Sequence, residues 1–356
     1  MKTYPLFLSF LMLFSCSSDR KPATETPYNK SNILDFNSFP NEKSLHGENV
    51  GPVESFNQLV NIIYSKNFIL VLDVKGDYYF KLLDSELQIV ETFGRKGDGP
   101  NEIPFEPKIS KHDFITLGAI YFYYYGKSEV VAMKIDSSGD VFPNTIDHYP
   151  LPEQLYNVQR VVVVEEDKMV GNAGMSEGKL YYFNPEKENV LGITPFYPKL
   201  NFQIDKENLI YNFAGQLAAS KSQNTLVCAN TYFPQLEIYN LDGELKKEIR
   251  TSNLEMSDYH RSIFNHFYYY GVQVTDKYIY ALYLGEKQDN ILQQMLHSLK
   301  SKVHVFDLEG SPVISFRLDR LINDFLVDEE HHKIIGIDED NESQPLVKYD
   351  LPKNLQ

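Results

Sequence analysis

One pattern recurs six times along this chain and constrains its fold more than any other feature. An alternating apolar strand runs into Asp or Asn, a short polar turn follows, and a second strand leaves the turn. The instances are "YYFKLLDSELQIV", "VVAMKIDSSGDVF", "KLYYFNPEKENVLGI", "QLEIYNLDGELKKEI", "KVHVFDLEGSPVISF" and the truncated "PLVKYDL". The residues that open the turns are Asp84, Asp136, Asn184, Asn240, Asp307 and Asp350, at spacings of 52, 48, 56, 67 and 43 residues. The residue type has a cause, because Asp and Asn side chains bond the backbone two residues on and so start turns.

A second hairpin precedes each of these. "QLVNIIYSKNFILVLDVKG" reads as strand, turn, strand, and so do "RVVVVEEDKMVGNAG", "GQLAASKSQNTLVCANTY", "GVQVTDKYIYALYL" and "FLVDEEHHKIIGIDED"; in the second unit "FITLGAIYFYYYG" is looser. Each repeat is therefore four antiparallel strands, A to D from the inside out. Four short strands repeating every ~40–60 residues predict an all-β, six-bladed β-propeller. Its 25 Tyr and 23 Phe suit strands. The sixth unit lacks its strand D. The apolar segment "NILDFNSF", residues 32–39, is expected to supply it, so that the last blade is closed by an N-terminal strand and no sheet edge stays open between the termini.

The first residues read as a targeting segment. "MKTYPLFLSFLMLFSC" has Lys2, an apolar run from Tyr4 to Phe14 too short to span a bilayer, and a small residue before Cys16. Leu13-Phe14-Ser15-Cys16 resembles the lipobox of bacterial lipoproteins. That resemblance implies cleavage before Cys16 and a lipid on its sulfur, so the chain would meet the membrane through an N-terminal lipid. Ser17, where an inner-membrane retention Asp would otherwise stand, favours by the same resemblance the outer membrane of a Gram-negative bacterium. The expected organisation is a signal peptide at 1–15, a polar tether at 16–31, and one propeller domain at 32–352.

The six-unit ring resembles the NHL-repeat and TolB-like six-bladed propellers. "GRKGDGPNEI" is similar to a glycine-rich signature that follows the first blade in a lipoprotein family of that type. Gly94, Arg95, Gly97, Gly99, Pro100 and Glu102 match it; Asn101 replaces a glycine and Ile103 an aromatic. Asn also tolerates positive φ. The resemblance implies a fold and an envelope location rather than a reaction.

The same stretch looks like a phosphate cradle. However, a P-loop needs Lys-Ser/Thr after the last glycine and a helix beyond it, and Pro100 leads into strand-rich sequence instead. As the first D-to-A link, 94–104 belongs to the loop-rich face, beside the mouth of the central channel. Its glycines and Pro100 serve the swing between blades, and Arg95, Lys96 and Asp98 are the candidate ligand contacts, for an anionic group. The insertion 285–301 places Ile291, Leu292, Met295, Leu296 and Leu299 on one face of a helix that Asp289 can cap.

Other constellations are weaker. Asp328-Glu329-Glu330-His331-His332 lies in an A-to-B turn, where adjacent histidines point to opposite sides. "DEDNES", 338–343, lacks the glycine and terminal Glu of a calcium loop. Cys228, in an apolar run, reads as a buried thiol. There is no G-x-S-x-G. A net charge of −15 without a basic stripe argues against nucleic acid. The expectation is a monomeric, lipid-anchored module binding a glycan, peptide or protein partner. The alternative is a metal-dependent hydrolase or lyase at the channel mouth, resembling gluconolactonase-type propellers. No cofactor is implied, and calcium or another divalent ion in the channel is compatible with the sequence.

Overall fold

Two short strands open the described chain, β1 (Glu42–Leu45) and β2 (Glu48–Val50). Blade 1 follows as β3 (Leu59–Ser65), β4 (Phe68–Asp73), β5 (Tyr78–Leu83) and β6 (Ile89–Arg95). Blade 2 holds a one-turn helix, α1 (Phe114–Leu117), with β7 (Ala119–Tyr124), β8 (Glu129–Ile135) and β9 (Val141–Pro150). Blade 3 is β10 (Arg160–Glu165), β11 (Lys168–Met175), β12 (Gly178–Asn184) and β13 (Asn189–Thr194). Blade 4 is β14 (Gly215–Ser220), β15 (Thr225–Asn230), β16 (Gln235–Tyr239) and β17 (Leu245–Arg250). Blade 5 is β18 (His266–Val274), β19 (Tyr278–Lys287), β20 (Lys302–Asp307) and β21 (Pro312–Leu318). Blade 6 is β22 (Phe325–Asp328), β23 (Lys333–Ile337) and β24 (Leu346–Asp350). This computed structural model describes residues 39–355 except 100, 125–126, 137, 139, 156–157, 176–177, 196–214, 251–265, 288–297 and 339.

The ring is held by period-two sorting. In β10, Val161 and Val163 enter the core shared with blade 2, while Val162 and Val164 enter the core shared with blade 4. The other blades do the same, and six apolar clusters result, one in each seam from blade 1–2 round to blade 6–1. A strand covered on both faces must be apolar on both. β7, β15 and β16 are buried at every residue, whereas the outer strands β6 and β13 alternate. The Asx logic of the repeat is visible as bonds. Asp84 Oδ1 accepts the amides of Glu86 and Gln88, Asn240 Oδ1 those of Asp242 and Glu244, and Asp307 Oδ1 that of Ser311.

Two expectations need correction. The strand that closes the last blade is β2, antiparallel to β24 with Val50 opposite Leu346, about ten residues downstream of the 32–39 segment. Residues 32–38 lie outside the described ones. Phe39 docks on blade 5 instead, its ring 4.6 Å from His304 and 5.4 Å from Phe306. The chain then covers the blade 5 edge as β1, a fifth strand parallel to β21, before it reaches blade 6. The order follows from the direction of approach, and Glu42 pairs there with Lys302 and Arg317.

Blade 2 departs from the four-strand plan. "FITL" is not a strand but α1, capped by Asp113, which accepts the amide of Thr116. The inner strand shrinks to a bridge between Lys108 and Tyr123. Pro104 and Pro107 precede it and have no amide to donate to a ladder. A side chain fills the gap: His112 Nε2 accepts the Tyr121 amide at 3.2 Å, and Nδ1 faces the Ser110 carbonyl at 2.8 Å. Burial pushes this imidazole down to about 4, so it is neutral at pH 7 with its proton on Nδ1.

Candidate functional site

The glycine-rich link does cradle an anion, and the anion is its own. Glu102 Oε2 accepts the Gly99 amide at 2.9 Å, and Glu102 Oε1 lies 3.6 Å from Arg95 Nε. Gly97 has φ +152°, and a Cβ there would overlap the Glu102 carboxylate. Gly94, at φ +70°, lies against Phe80, where a Cβ would come within 2.6 Å. Asn101 takes φ +64°, the conformation glycine would otherwise serve. Pro100 is outside the described residues. Gly97→Ala is expected to cost about 1–3 kcal/mol, from the strained φ and the displaced carboxylate. Urea unfolding measures it, and an unchanged midpoint would mean that the cradle is dispensable.

The link stays over the flank of blade 1. The Lys96 amide donates to Asp77 O and the Ile103 amide to Arg95 O, so the chain doubles back before it turns inward at Lys108. The candidates separate. Lys96 folds inward, its ammonium 2.5 Å from the Val74 carbonyl and 4.6 Å from the Tyr79 ring centroid. Arg95 is exposed beside Glu102. Asp98 alone lines a cavity.

That cavity, of about 400 Å³, lies in the seam between blades 1 and 2. Its floor is apolar and aromatic, made by Ile103, Phe122 and Val131 with Phe105 and Tyr124 at the wall. Phe105 is 45% exposed and meets Tyr124 edge-on at 6.4 Å, and the Lys127 ammonium sits 5.9 Å from the Phe105 ring centroid. The rim is polar, with Asp98, Asn101 and Glu102 on one side and Lys127 and His148 on the other. Behind them stands Glu129, 3.4 Å from His148 Nδ1 and 3.8 Å from Lys127 Nζ. In the sequence the run that contains Tyr124 reads only as a loose hairpin, and no local signal in it marks Phe105, Lys127 or His148. Only the return of the link over blade 2 brings them together.

A side chain crosses the axis. Lys111 pairs its backbone with Ala218 of β14 and sends its side chain across to the opposite blades. There its ammonium meets Asp324 Oδ1 and Oδ2 at 2.9 and 3.0 Å and the carbonyls of Ile62 and Phe325. Burial pushes Lys111 down, and Asp324 counters it. Asp324 Oδ2 also accepts the Ile62 amide at 2.9 Å.

Other sequence candidates resolve simply. Asp328–His332 forms the A-to-B turn of blade 6, with His331 Nδ1 2.8 Å from Asp328 Oδ2. Among the described residues no three His, Cys, Asp or Glu side chains converge within metal-holding reach. Cys228 is buried, and burial pushes its thiol up to about 12, which makes it a poor nucleophile. Cys16 and residues 288–297 of the 285–301 insertion, which hold Ile291, Leu292, Met295 and Leu296 with Asp289, lie outside the described residues; residues 285–287 of the insertion continue β19, and Leu299 is half-buried. No helix among the described residues is long and apolar enough to cross a membrane.

A closed ring of six such sheets defines a six-bladed β-propeller. Residues 35–330 match the model of the TolB-like 6-blade propeller-like family, and the chain belongs to that family. Among solved structures it is similar to a member of the DUF4221 family from Bacteroides vulgatus, with TM-score 0.58 and 10% identity over 86% of this chain and 96% of that one. It is also similar to a protein of Bacteroides fragilis described as exported, with TM-score 0.55 and 10% identity over 89% and 98% of the two chains. At these identities the likeness is one of fold. No curated protein matches the sequence.

Proposed function

We propose that this protein is an exported, lipid-anchored propeller of the outer membrane that binds a glycan in the cavity between blades 1 and 2. The observation that carries the reading is the exposed ring of Phe105 beside Tyr124, facing the carboxylates and amide of Asp98, Glu102 and Asn101. A sugar ring offers an apolar face of C–H groups to an aromatic ring and vicinal hydroxyls to carboxylates and amides. Sites of this size are usually apolar with a few placed polar groups. Lys127 and His148 would donate to hydroxyl or carboxylate oxygens on the far side. The net charge of −15 keeps nucleic acid off this surface.

A glycan array followed by calorimetry tests the site. Phe105→Ala should weaken the best glycan at least about tenfold, which corresponds to ~1.4 kcal/mol, while the unfolding midpoint stays put because Phe105 is half-exposed. Equal affinity of the two proteins would remove Phe105 from the site, and an array without a binder for the folded protein would overturn the glycan reading. Palmitate labelling of wild type and Cys16→Ser tests the anchor; a label that survives the substitution refutes it.

A further inference from the structure

A second, larger concavity lies at the axis, on the face of the A-to-B turns. It encloses about 700 Å³ and draws lining residues from all six blades. Its existence follows from the irregularity of blade 2. An inner strand there would run up to this face and narrow the axis. Instead the chain leaves the sheet after Lys108, and α1 turns back at the rim. Lys111, whose side chain crosses to Asp324, lines the base of this cup.

The lining chemistry is one-sided. The turn of blade 5 contributes Asp276, the turn of blade 6 contributes Asp328, Glu329 and Glu330, and the blade 2 segment contributes Asp113. Three lysines face them. Lys111 is already neutralised by Asp324 from below, and Lys221 lies 3.4 Å from Glu165 on the rim of blade 3. Lys66 remains, on the side of Asp113. Hydroxyls of Ser65, Ser220, Ser222 and Thr275 fill the wall between the charges, and Val163, Val274 and Val327 give it an apolar lower belt. The negative field is felt inside: burial, then Asp328 and Glu330, pushes the Tyr64 hydroxyl up to about 12.

We infer that this cup is a second ligand site, separate from the blade 1–2 cavity, and that it takes a small organic cation carrying amine or guanidine groups on an apolar stem. The class follows from the lining. An anion would meet the carboxylates of Asp276, Glu329 and Glu330 at the rim, with Asp113 and with Asp328 paired to Lys333 behind them, across a concavity whose low-dielectric walls concentrate their field. A bare divalent ion needs several oxygens at about 2.0–2.6 Å, and no such convergence exists among the described residues. An elongated amine can place its charge at the rim between Glu330 and Asp276, both exposed, where Asp276 Oδ1 already accepts the Ser222 hydroxyl at 2.9 Å and Gln223 Nε2 at 3.4 Å and leaves Oδ2 to the ligand, with its stem against the valines below. Glu329 is less available, because its Oε1 already accepts the hydroxyls of Thr275 and Tyr280.

Calorimetry on the intact mature chain tests this, with spermidine and arginine amide as probes and 1,8-octanediol as the uncharged control. At least one cation should bind saturably, with an affinity that falls as salt rises, and the diol should give no saturable heat. The double variant Asp276→Asn/Glu330→Gln should weaken that binding about tenfold or more. Lys66→Gln should tighten it by about two- to fivefold, because a like charge leaves the rim. All three positions are exposed turn residues, so the variants should fold as the parent does. Phe105→Ala should leave cation binding unchanged, which keeps this result independent of the glycan site. Absence of saturable binding by either cation overturns the inference, as does equal binding by the double variant.

Discussion

Lys179→Met should lower the stability of the folded ring by about 3–5 kcal/mol, the usual cost of stranding a buried charge. Lys179 sits on β12 with its side chain 1% exposed, in the seam between blades 3 and 4. Its ammonium lies 2.7 and 2.8 Å from the two carboxylate oxygens of Glu237 and 2.7 Å from Asn230 Oδ1. Glu237, on β16, also accepts from Gln235 at 2.6 Å and from the Tyr239 hydroxyl at 2.7 Å. A methionine removes the cation nearest Glu237 and leaves its buried carboxylate held by neutral donors, with Glu248 adding to the negative charge nearby. Adding Glu237→Gln removes the stranded charge and should recover more than half of the loss. Equilibrium urea unfolding of the parent, both single variants and the double gives the coupling directly. A loss below about 1 kcal/mol for the single variant would mean that the pair is not what holds this seam.

Lys111→Met should have a comparable effect, about 3–5 kcal/mol, through a different geometry. Here the pin crosses the axis, tying the backbone beside Ala218 to Asp324 and to the carbonyls of Ile62 and Phe325. Without the ammonium, Asp324 keeps the Ile62 amide and little else among the described residues. Local opening should follow, so amide exchange should speed up in β3, β14 and β22 more than in the outer strands. Lys111→Met/Asp324→Asn should restore much of the stability, since a buried pair replaced as a pair costs far less than one broken. Uniform loss of protection across the whole ring would argue against a local pin.

Much of the architecture was legible because its signals are local. Alternation along a strand depends on neighbouring residues, and an Asx turn is a bond to the amide two residues on. Asp84, Asn184 and Asn240 could therefore be placed from a window of a few residues, and their recurrence counted the blades. The same locality misled twice. "FITL" has strand-like composition, but Asp113 caps it and the Tyr121 amide finds His112 instead of a neighbouring strand. The apolar 32–39 segment looked like the closing strand, yet register with β24 was met by "ENV" at 48–50.

By itself, then, the sequence determined a six-bladed ring, the faces its strands bury and the turns that join them. The tertiary structure decided where the chemistry lies. It folded the glycine link onto Glu102, turned Lys96 inward, and gathered Asp98, Phe105, Tyr124 and His148 around one cavity. It crossed the axis with Lys111 and Asp324, 213 residues apart, and riveted a seam with Lys179 and Glu237, 58 residues apart. Period and turn chemistry act between residues close in the chain. A buried charge is satisfied by whatever partner the closed ring brings within ~3 Å, at any separation along the chain.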